Sequence, residues 1–201
     1  MEAGGGIEMP VSSVIWFTGL SGAGKSTIGA AVRDHLAGYV PVEYLDGDVV
    51  RELSPTGFTR AERDAHVRRV GYLASRLEHH GITSVCALIS PYEDSRAWVR
   101  GICTRFIEVH VSTPLSECER RDVKGLYAKA RAGTISQFTG IDDPYEAPRA
   151  PELSIDTTRV SLCEAVTMVT DVWAVRVTRG LFRFAPPQSP EYSPARSAFP
   201  V

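Results

Sequence analysis

The segment Gly19-Leu20-Ser21-Gly22-Ala23-Gly24-Lys25-Ser26-Thr27 satisfies the spacing G-x-x-x-x-G-K-[ST] in full. Each residue type in it has a task. Glycines let successive backbone N–H groups turn inward around phosphate oxygens, and a helix starting at the lysine adds its partial positive charge. Lys25 has the reach for the terminal phosphates of a nucleotide, and the Ser26 hydroxyl is a ligand suited to Mg²⁺. The competing reading, a glycine-rich turn with a chance lysine, does not call for a strand before it and a helix after it. Both are present: residues 13–18 are an apolar β-rich run, and helical character runs from Lys25 to about Leu36.

A second group of chemistry-bearing residues is Leu45-Asp46-Gly47-Asp48. It follows a short strand at 42–45, so both carboxylates project at the carboxyl edge of the sheet, where open α/β sheets bind ligands. One of Asp46 and Asp48 can hold Mg²⁺ through water while the other accepts the proton of an attacking hydroxyl. Asp-Gly is also a common turn dipeptide. Beside a phosphate cradle the functional reading is preferred.

The elements that must position these groups alternate. A charged amphipathic helix spans about 60–80, a strand 82–89, a helix about 93–103, a strand 106–111, and a helix starts at Thr113-Pro114 with proline in its first turn. From Asp122 to about Pro151 the periodicity breaks down into a Gly-, Lys-, Arg-, Asp- and Pro-rich stretch, too long for an ordinary connection and read as a lid. A last strand at 152–155 and a last helix at 161 to about 175 complete the pattern. The expected fold is α/β, a P-loop NTPase-type three-layer sandwich with a mainly parallel five-stranded sheet and helices on both faces. A P-loop alone does not distinguish a kinase from a GTPase or a motor, but a small P-loop protein with a long basic lid looks most like a nucleoside- or metabolite-kinase. Residues 1–12 read as a flexible leader, 13–176 as that P-loop kinase domain with its lid at about 122–151, and 177–201 as a Pro-rich tail that Phe182 and Phe184 could dock.

Composition narrows the classes further. With 201 residues, 43% hydrophobic and 23% charged, the chain is one domain of ordinary size. A net charge of −2 argues against a nucleic-acid partner, and no run is long enough for a membrane span. The first ten residues carry no basic flank or apolar stretch of a signal peptide. Cys86, Cys103, Cys118 and Cys163 form no CxxC pair, and three sit among apolar neighbours, as buried free thiols do. A cytoplasmic enzyme is the expectation. His79-His80 closes a helix and is no metal site; Trp98 and Trp173 are expected in the core, and Arg68-Arg69 on a solvated face, though one of that pair could approach an anionic acceptor.

A more specific signal lies in the order of several segments. Gly-Leu-Ser-Gly-Ala-Gly-Lys-Ser (19–26), Leu-Asp-Gly-Asp (45–48) with Arg51, Ile-Ser-Pro-Tyr (89–92), Arg-Asp-Val-Lys-Gly-Leu-Tyr (121–127), Lys-Ala-Arg-Ala-Gly (129–133) and Phe-Thr-Gly-Ile-Asp (138–142) together resemble the adenylylsulfate (APS) kinase family. The resemblance runs from about Val14 to Trp173, and the lid segments carry it more than the generic P-loop. It implies ATP and Mg²⁺, with the 3′-hydroxyl of adenosine 5′-phosphosulfate as acceptor and 3′-phospho-APS (PAPS) as product. By matched position, Asp48 meets that hydroxyl, Arg51 and Arg63 grip the phosphosulfate, and Phe58 and Phe138 stack the acceptor adenine. Ser90, Pro91 and Tyr92, with Thr139, Gly140 and Ile141, complete the pocket. Lys124 closes over the transferring phosphoryl, a task for a mobile cation that excludes water. Arg131 is assigned to ATP, whereas Lys129 reads as solvated. The family's serine at the Ser90 position has been assigned as a phosphoserine intermediate; no base adjoins Ser90 in sequence, so direct in-line transfer is the simpler route. Family members are commonly dimers, which makes a homodimer the implied assembly.

Three departures fall on the acceptor side. His66 stands where the family has asparagine, Leu88 replaces an aromatic, and the 52–57 loop is short. A histidine donates hydrogen bonds with a different shape and can titrate. They leave open a relative that phosphorylates another hydroxylated metabolite. A non-catalytic ATP-binding regulatory module is the remaining alternative; it would need neither Asp48 nor Lys124.

Overall fold

Strand β1 (Val14–Thr18) is buried along its whole length, and its pleat explains why the sheet is covered twice. Successive side chains point to opposite faces. Ile15 and Phe17 enter one core with Ile28 and Val32 of helix α1 (Lys25–Leu36) and Ala165 and Val169 of helix α7 (Leu162–Thr178). Val14 and Trp16 enter the other, with Val67, Val70 and Ala74 of helix α3 (Arg60–His79) and Val99 of helix α4 (Glu93–Ile102). The computed structural model describes residues 12–53 and 57–178. Most of the leader, the tail with Phe182 and Phe184, and the centre of the short 52–57 loop lie outside them.

The sheet order is β2-β3-β1-β4-β5, every pair parallel, with β2 at Val42–Asp46, β3 at Thr83–Ala87, β4 at Phe106–Val111 and β5 at Leu153–Ile155. Val14 is in register with Ser84 on one side and Phe106 on the other. This is the expected five-stranded α/β sandwich, and α1 and β4 begin and end where the pattern put them. Helix α3 opens on a capping box: the Glu62 N–H donates to the Thr59 hydroxyl, and the Thr59 N–H donates to the Glu62 carboxylate. Helix α5 (Leu115–Arg121) starts after Pro114, which caps it rather than lying inside it.

Several elements differ from the pattern. Gly47–Leu53 form helix α2 directly after β2, a helix that the sequence did not show. The 122–151 stretch contains helix α6 (Leu126–Arg131), whose N-terminus is held by Asp122 accepting from the N–H groups of Tyr127 and Ala128. Helix α7 runs two residues into the presumed tail. All four thiols are free, but only Cys86 and Cys118 are buried; Cys103 is half-buried and Cys163 exposed. Trp98 and Trp173 are partly buried at core margins. Among the described residues no helix is long and apolar enough to cross a membrane, and no group of acidic, Cys or His side chains has the geometry of a metal cluster.

Candidate active site

The strand-to-helix turn at 19–25 is held through its carbonyls. Leu20 C=O accepts from Lys25 Nζ at 2.7 Å, Ser21 C=O from the Tyr127 hydroxyl at 2.9 Å, and Gly22 C=O from Arg121 at 3.3 Å. Ala23 C=O accepts from the hydroxyls of Thr113 and Thr157 at 3.0 and 3.2 Å. With these carbonyls engaged, the first turn of α1 supplies backbone N–H groups that a helix does not pair within itself, the donors a phosphate needs. Glycine is required at both ends. A Cβ on Gly19 would lie 2.5 Å from the Val111 carbonyl oxygen, and Gly24 has φ +106°.

These supports were missed in the sequence. Arg121 and Tyr127 lie within the quoted lid motif but gave no sign of their role. Thr113 and Thr157 gave no signal at all, since they meet the loop only through the fold.

The loop opens into a cleft of about 310 Å³. From the phosphate side it is lined by Ser21, Gly22, Gly24, Lys25, Ser26 and Thr27, and from the far side by Asp48, Arg51, Phe58, Arg63 and His66, with Ser90, Pro91, Lys124 and Phe138 between them. Phosphate cradle and acceptor residues therefore share one space. Burial holds Lys25 at about 8 instead of 10.5; Lys124 adds to this, while Asp48 and Asp46 oppose it. Phosphate oxygens that replace the lost water favour the charged form and keep this cation protonated to higher pH.

Asp46 is the hub behind Lys25. One carboxylate oxygen accepts from the Ser26 hydroxyl at 2.9 Å and from Tyr44 at 3.2 Å; the other accepts from the Asp48 N–H at 2.8 Å. The two residues expected at the metal are thus side by side, as hard oxygen donors at the edge of the cradle. Asp48 lies on the first turn of α2 and its carboxylate accepts from Lys124 Nζ. Burial would lift the Asp48 carboxyl, but the Lys124 bond and charge, with Arg51 and Lys25, hold it below the usual range.

Phe58 is a half-exposed ring with the Arg51 guanidinium 5.0 Å and the Arg63 guanidinium 5.4 Å from its centroid. Arg63 also donates to the Phe58 carbonyl at 2.8 Å and to the Gln137 carbonyl at 2.5 Å, tying α3 to the lid. Phe138 packs edge-on against Tyr127 at 5.0 Å. Ser90 has φ +39°, and its buried hydroxyl accepts from Trp16 Nε1 at 3.1 Å. Its carbonyl accepts from Arg96, which is itself paired with Glu108 at 2.9 Å. Leu88 lies over Gly47, where an added Cβ would come within 2.8 Å of its Cγ.

Several expected site residues stand behind the cleft instead of lining it. Tyr92 is buried and donates to Asp143 at 2.9 Å. Thr139 and Ile141 sit in the folded lid, and Gly140 packs on Leu20. The lid is further anchored by Tyr145, whose hydroxyl is 3.0 Å from that of Thr18. Arg131 lies on the lid surface and donates to Glu119 at 2.5 Å. Arg68 is paired with Asp64 and stacked on Trp98, but Arg69 keeps a buried Nη1 with no hydrogen-bond partner.

The family model for adenylylsulphate kinase matches residues 11–156, most of the chain. The chain belongs to the adenylylsulphate kinase family. It is 51% identical over 158 residues to the adenylyl-sulfate kinase of Synechococcus sp. (strain JA-3-3Ab), covering 77% of this chain and 90% of that one. It is 52% identical over 157 residues to that of Chloroflexus aurantiacus, covering 76% and 84%. Among solved structures, the APS kinase of Mycobacterium tuberculosis in complex with AMPPNP and APS superposes with TM-score 0.77 at 40% identity, covering 82% of this chain and 98% of that one. A gluconokinase from Sinorhizobium meliloti at 19% identity and TM-score 0.55 shares the fold alone. Membership of this family makes the chain a kinase-type phosphotransferase, and the regulatory-module reading falls away.

Proposed function

We propose that this chain transfers the terminal phosphoryl group of ATP to the 3′-hydroxyl of APS, giving ADP and PAPS. The observation that carries the reading is the single cleft in which Lys25 and Ser26 face Asp48, Arg51, Phe58 and Phe138. The supporting relatives are adenylyl-sulfate kinases, one of them solved with a nucleotide analogue and APS.

Phosphoryl transfer asks mainly for alignment and charge neutralisation. Lys25 meets the terminal phosphates and stays charged once they arrive. Ser26 and Asp46 would hold Mg²⁺, which supplies charge neutralisation on the triphosphate when bound. Phe58 and Phe138 supply faces for the acceptor base, and Arg51 supplies positive charge for its anionic end. Asp48 orients the 3′-hydroxyl and takes its proton as the new P–O bond forms and the bond to the ADP oxygen breaks. A carboxylate held acidic is a weak base, which suits a loose transition state in which the proton leaves late. Lys124 is poised to move from Asp48 to the transferring group. Ser90 has a hydroxyl that accepts from Trp16 and, among the described residues, no base hydrogen-bonded to it, which favours direct transfer.

The test is coupled ADP release with ATP, Mg²⁺ and APS, run beside Asp48→Asn. APS-dependent turnover that the substitution abolishes supports the reading; nucleotide binding without APS turnover overturns it. His66 and Leu88 favour one second reading, a kinase for another hydroxylated metabolite. That reading expects ATP turnover dependent on Lys25 and Asp48 but poor with APS.

A further inference from the structure

His66 is only 3% exposed, yet among the described residues neither of its ring nitrogens makes a well-formed hydrogen bond, the Gly47 backbone being its one weak polar neighbour. It lines the acceptor end of the cleft beside Arg51 and Asp48. Two further buried donors nearby are also unpartnered: Nε of Arg51, on α2, and Nη1 of Arg69, one turn on from His66 along α3. A buried polar atom without a partner costs about 1–3 kcal/mol. A cluster of them at one end of a binding cleft is a place built for a guest that supplies acceptors. All three groups can donate, so the guest is an anion.

The groups facing His66 come from two helices: Arg51, Asp48 and the Gly47 backbone on α2, and Arg69 on its own helix. Burial, then Arg51 and Arg69, hold the imidazole neutral with a pKa of about 4, while Gly47 and Asp48 pull weakly the other way. An anion seated among these groups offsets both guanidinium charges and removes the two Coulombic causes together.

We infer that the His66 imidazole takes up a proton as the acceptor's anionic group arrives in the notch that His66 shares with Arg51 at the end of the cleft, with the Arg69 charge close to it. This rests on the proposed reaction for the identity of the acceptor, though the notch itself would take any small oxyanion. Asparagine, the residue expected at this position from the resemblance, can donate a hydrogen bond but cannot acquire charge. Here acceptor affinity is coupled to pH.

The sign follows from linkage. The bound state holds more protons than the free state between the two imidazole pKa values, so affinity rises as pH falls through that window. If the anion does no more than restore an ordinary histidine pKa of about 6.5, binding is about tenfold tighter at about pH 5.5 than at about pH 7.5. Two measurements on the whole chain test this. The first is calorimetric binding of APS in the presence of AMPPNP, in buffers of different ionisation enthalpy, for wild type and His66→Asn. Proton uptake of a few tenths per site near neutral pH, lost in the variant, is expected; equal uptake in both overturns the inference. The second is imidazole NMR titration with inorganic sulfate, the His66 signal being assigned from the variant. Sulfate should move the His66 titration upward by about one unit or more while the other histidines stay put. A His66 signal unmoved by sulfate and APS alike overturns the notch. A sulfate response without APS turnover leaves the notch standing and sinks the proposed reaction instead.

Discussion

Lys124→Met separates what the lid cation does for stability from what it does for chemistry. In the ligand-free chain, Lys124 Nζ is bonded to Asp48, with the side chains 53% and 64% exposed. An ion pair that wet is worth about 0.2–1 kcal/mol, and salt screens part of it. Methionine keeps the length of the stem, so packing changes little. For a domain of this size the expected fall in Tm is no more than about 2–4 °C. The expected effect on turnover is much larger. Removing one charged donor aimed at a transition state in an enclosed site costs about 10²–10³ in kcat, roughly 2.7–4 kcal/mol.

The assay is coupled ADP release with KM for each substrate, beside a thermal melt. Crossing the variant with Asp48→Asn asks whether Lys124 acts only through the carboxylate, in which case the double variant is no worse than Asp48→Asn alone. One further readout follows from electrostatics. Lys124 is the chief opponent of the burial that lifts Asp48, so its loss raises the carboxyl pKa and moves the acid limb of kcat/KM to higher pH. A kcat within tenfold of wild type, or a Tm loss well beyond the range above, would refute the reasoning.

Other outcomes are expected from the same geometry. Lys25, with its pKa of about 8, should make nucleotide affinity weaken as pH rises past that value, by up to about tenfold per unit, and Lys25→Met should remove the trend; pH-independent binding by wild type would contradict it. Because the unfolded chain holds this proton more tightly, stability should rise between about pH 8 and 10.5, as read by urea denaturation. Arg96→Met strips one partner from Glu108, a pair 3% and 9% exposed. The loss should approach the lower end of about 3–5 kcal/mol, because Arg100 remains on Glu108 at 3.1 Å, and adding Glu108→Leu should recover part of it. Ser90→Ala orphans the buried Trp16 N–H and should cost about 1–3 kcal/mol of stability. Its kcat should fall far less than the roughly million-fold loss that follows removal of a covalent nucleophile; a loss of that size would restore a phosphoserine route.

What could be read from the chain was whatever local pattern controls. The G-x-x-x-x-G-K-S spacing fixed the turn at 19–26, and the apolar periodicity of 25–36 gave α1 with its bounds. Helix α2 was hidden because seven residues beginning Gly-Asp carry turn chemistry as strongly as helical periodicity. Helix α6 was hidden because a single turn and a half has no face to measure, and its cap at Asp122 is a side-chain contact. The supports of the site are the least legible part. Trp16 to Ser90, Thr18 to Tyr145 and Arg121 to Gly22 join residues far apart in the chain, and no spacing rule foretells them. Tyr92, Thr139, Gly140 and Ile141 were found through the motif, yet motif membership does not distinguish a residue that touches substrate from one that holds the wall.

The strand order has a consequence for how the chain is made. β1, at the centre of the sheet, is synthesised first, but Val14 finds its partners only at Ser84 and Phe106. Long-range parallel pairing must meet its loop-closure entropy before its contacts form. On the ribosome β1 therefore waits, an apolar strand with both edges open, until β3 and then β4 have emerged. The carbonyl clamps on the phosphate turn come later still, from Thr113, Arg121, Tyr127 and finally Thr157. Nucleotide binding by nascent chains arrested at successive lengths should thus switch on late and abruptly, once Thr157 has cleared the exit tunnel.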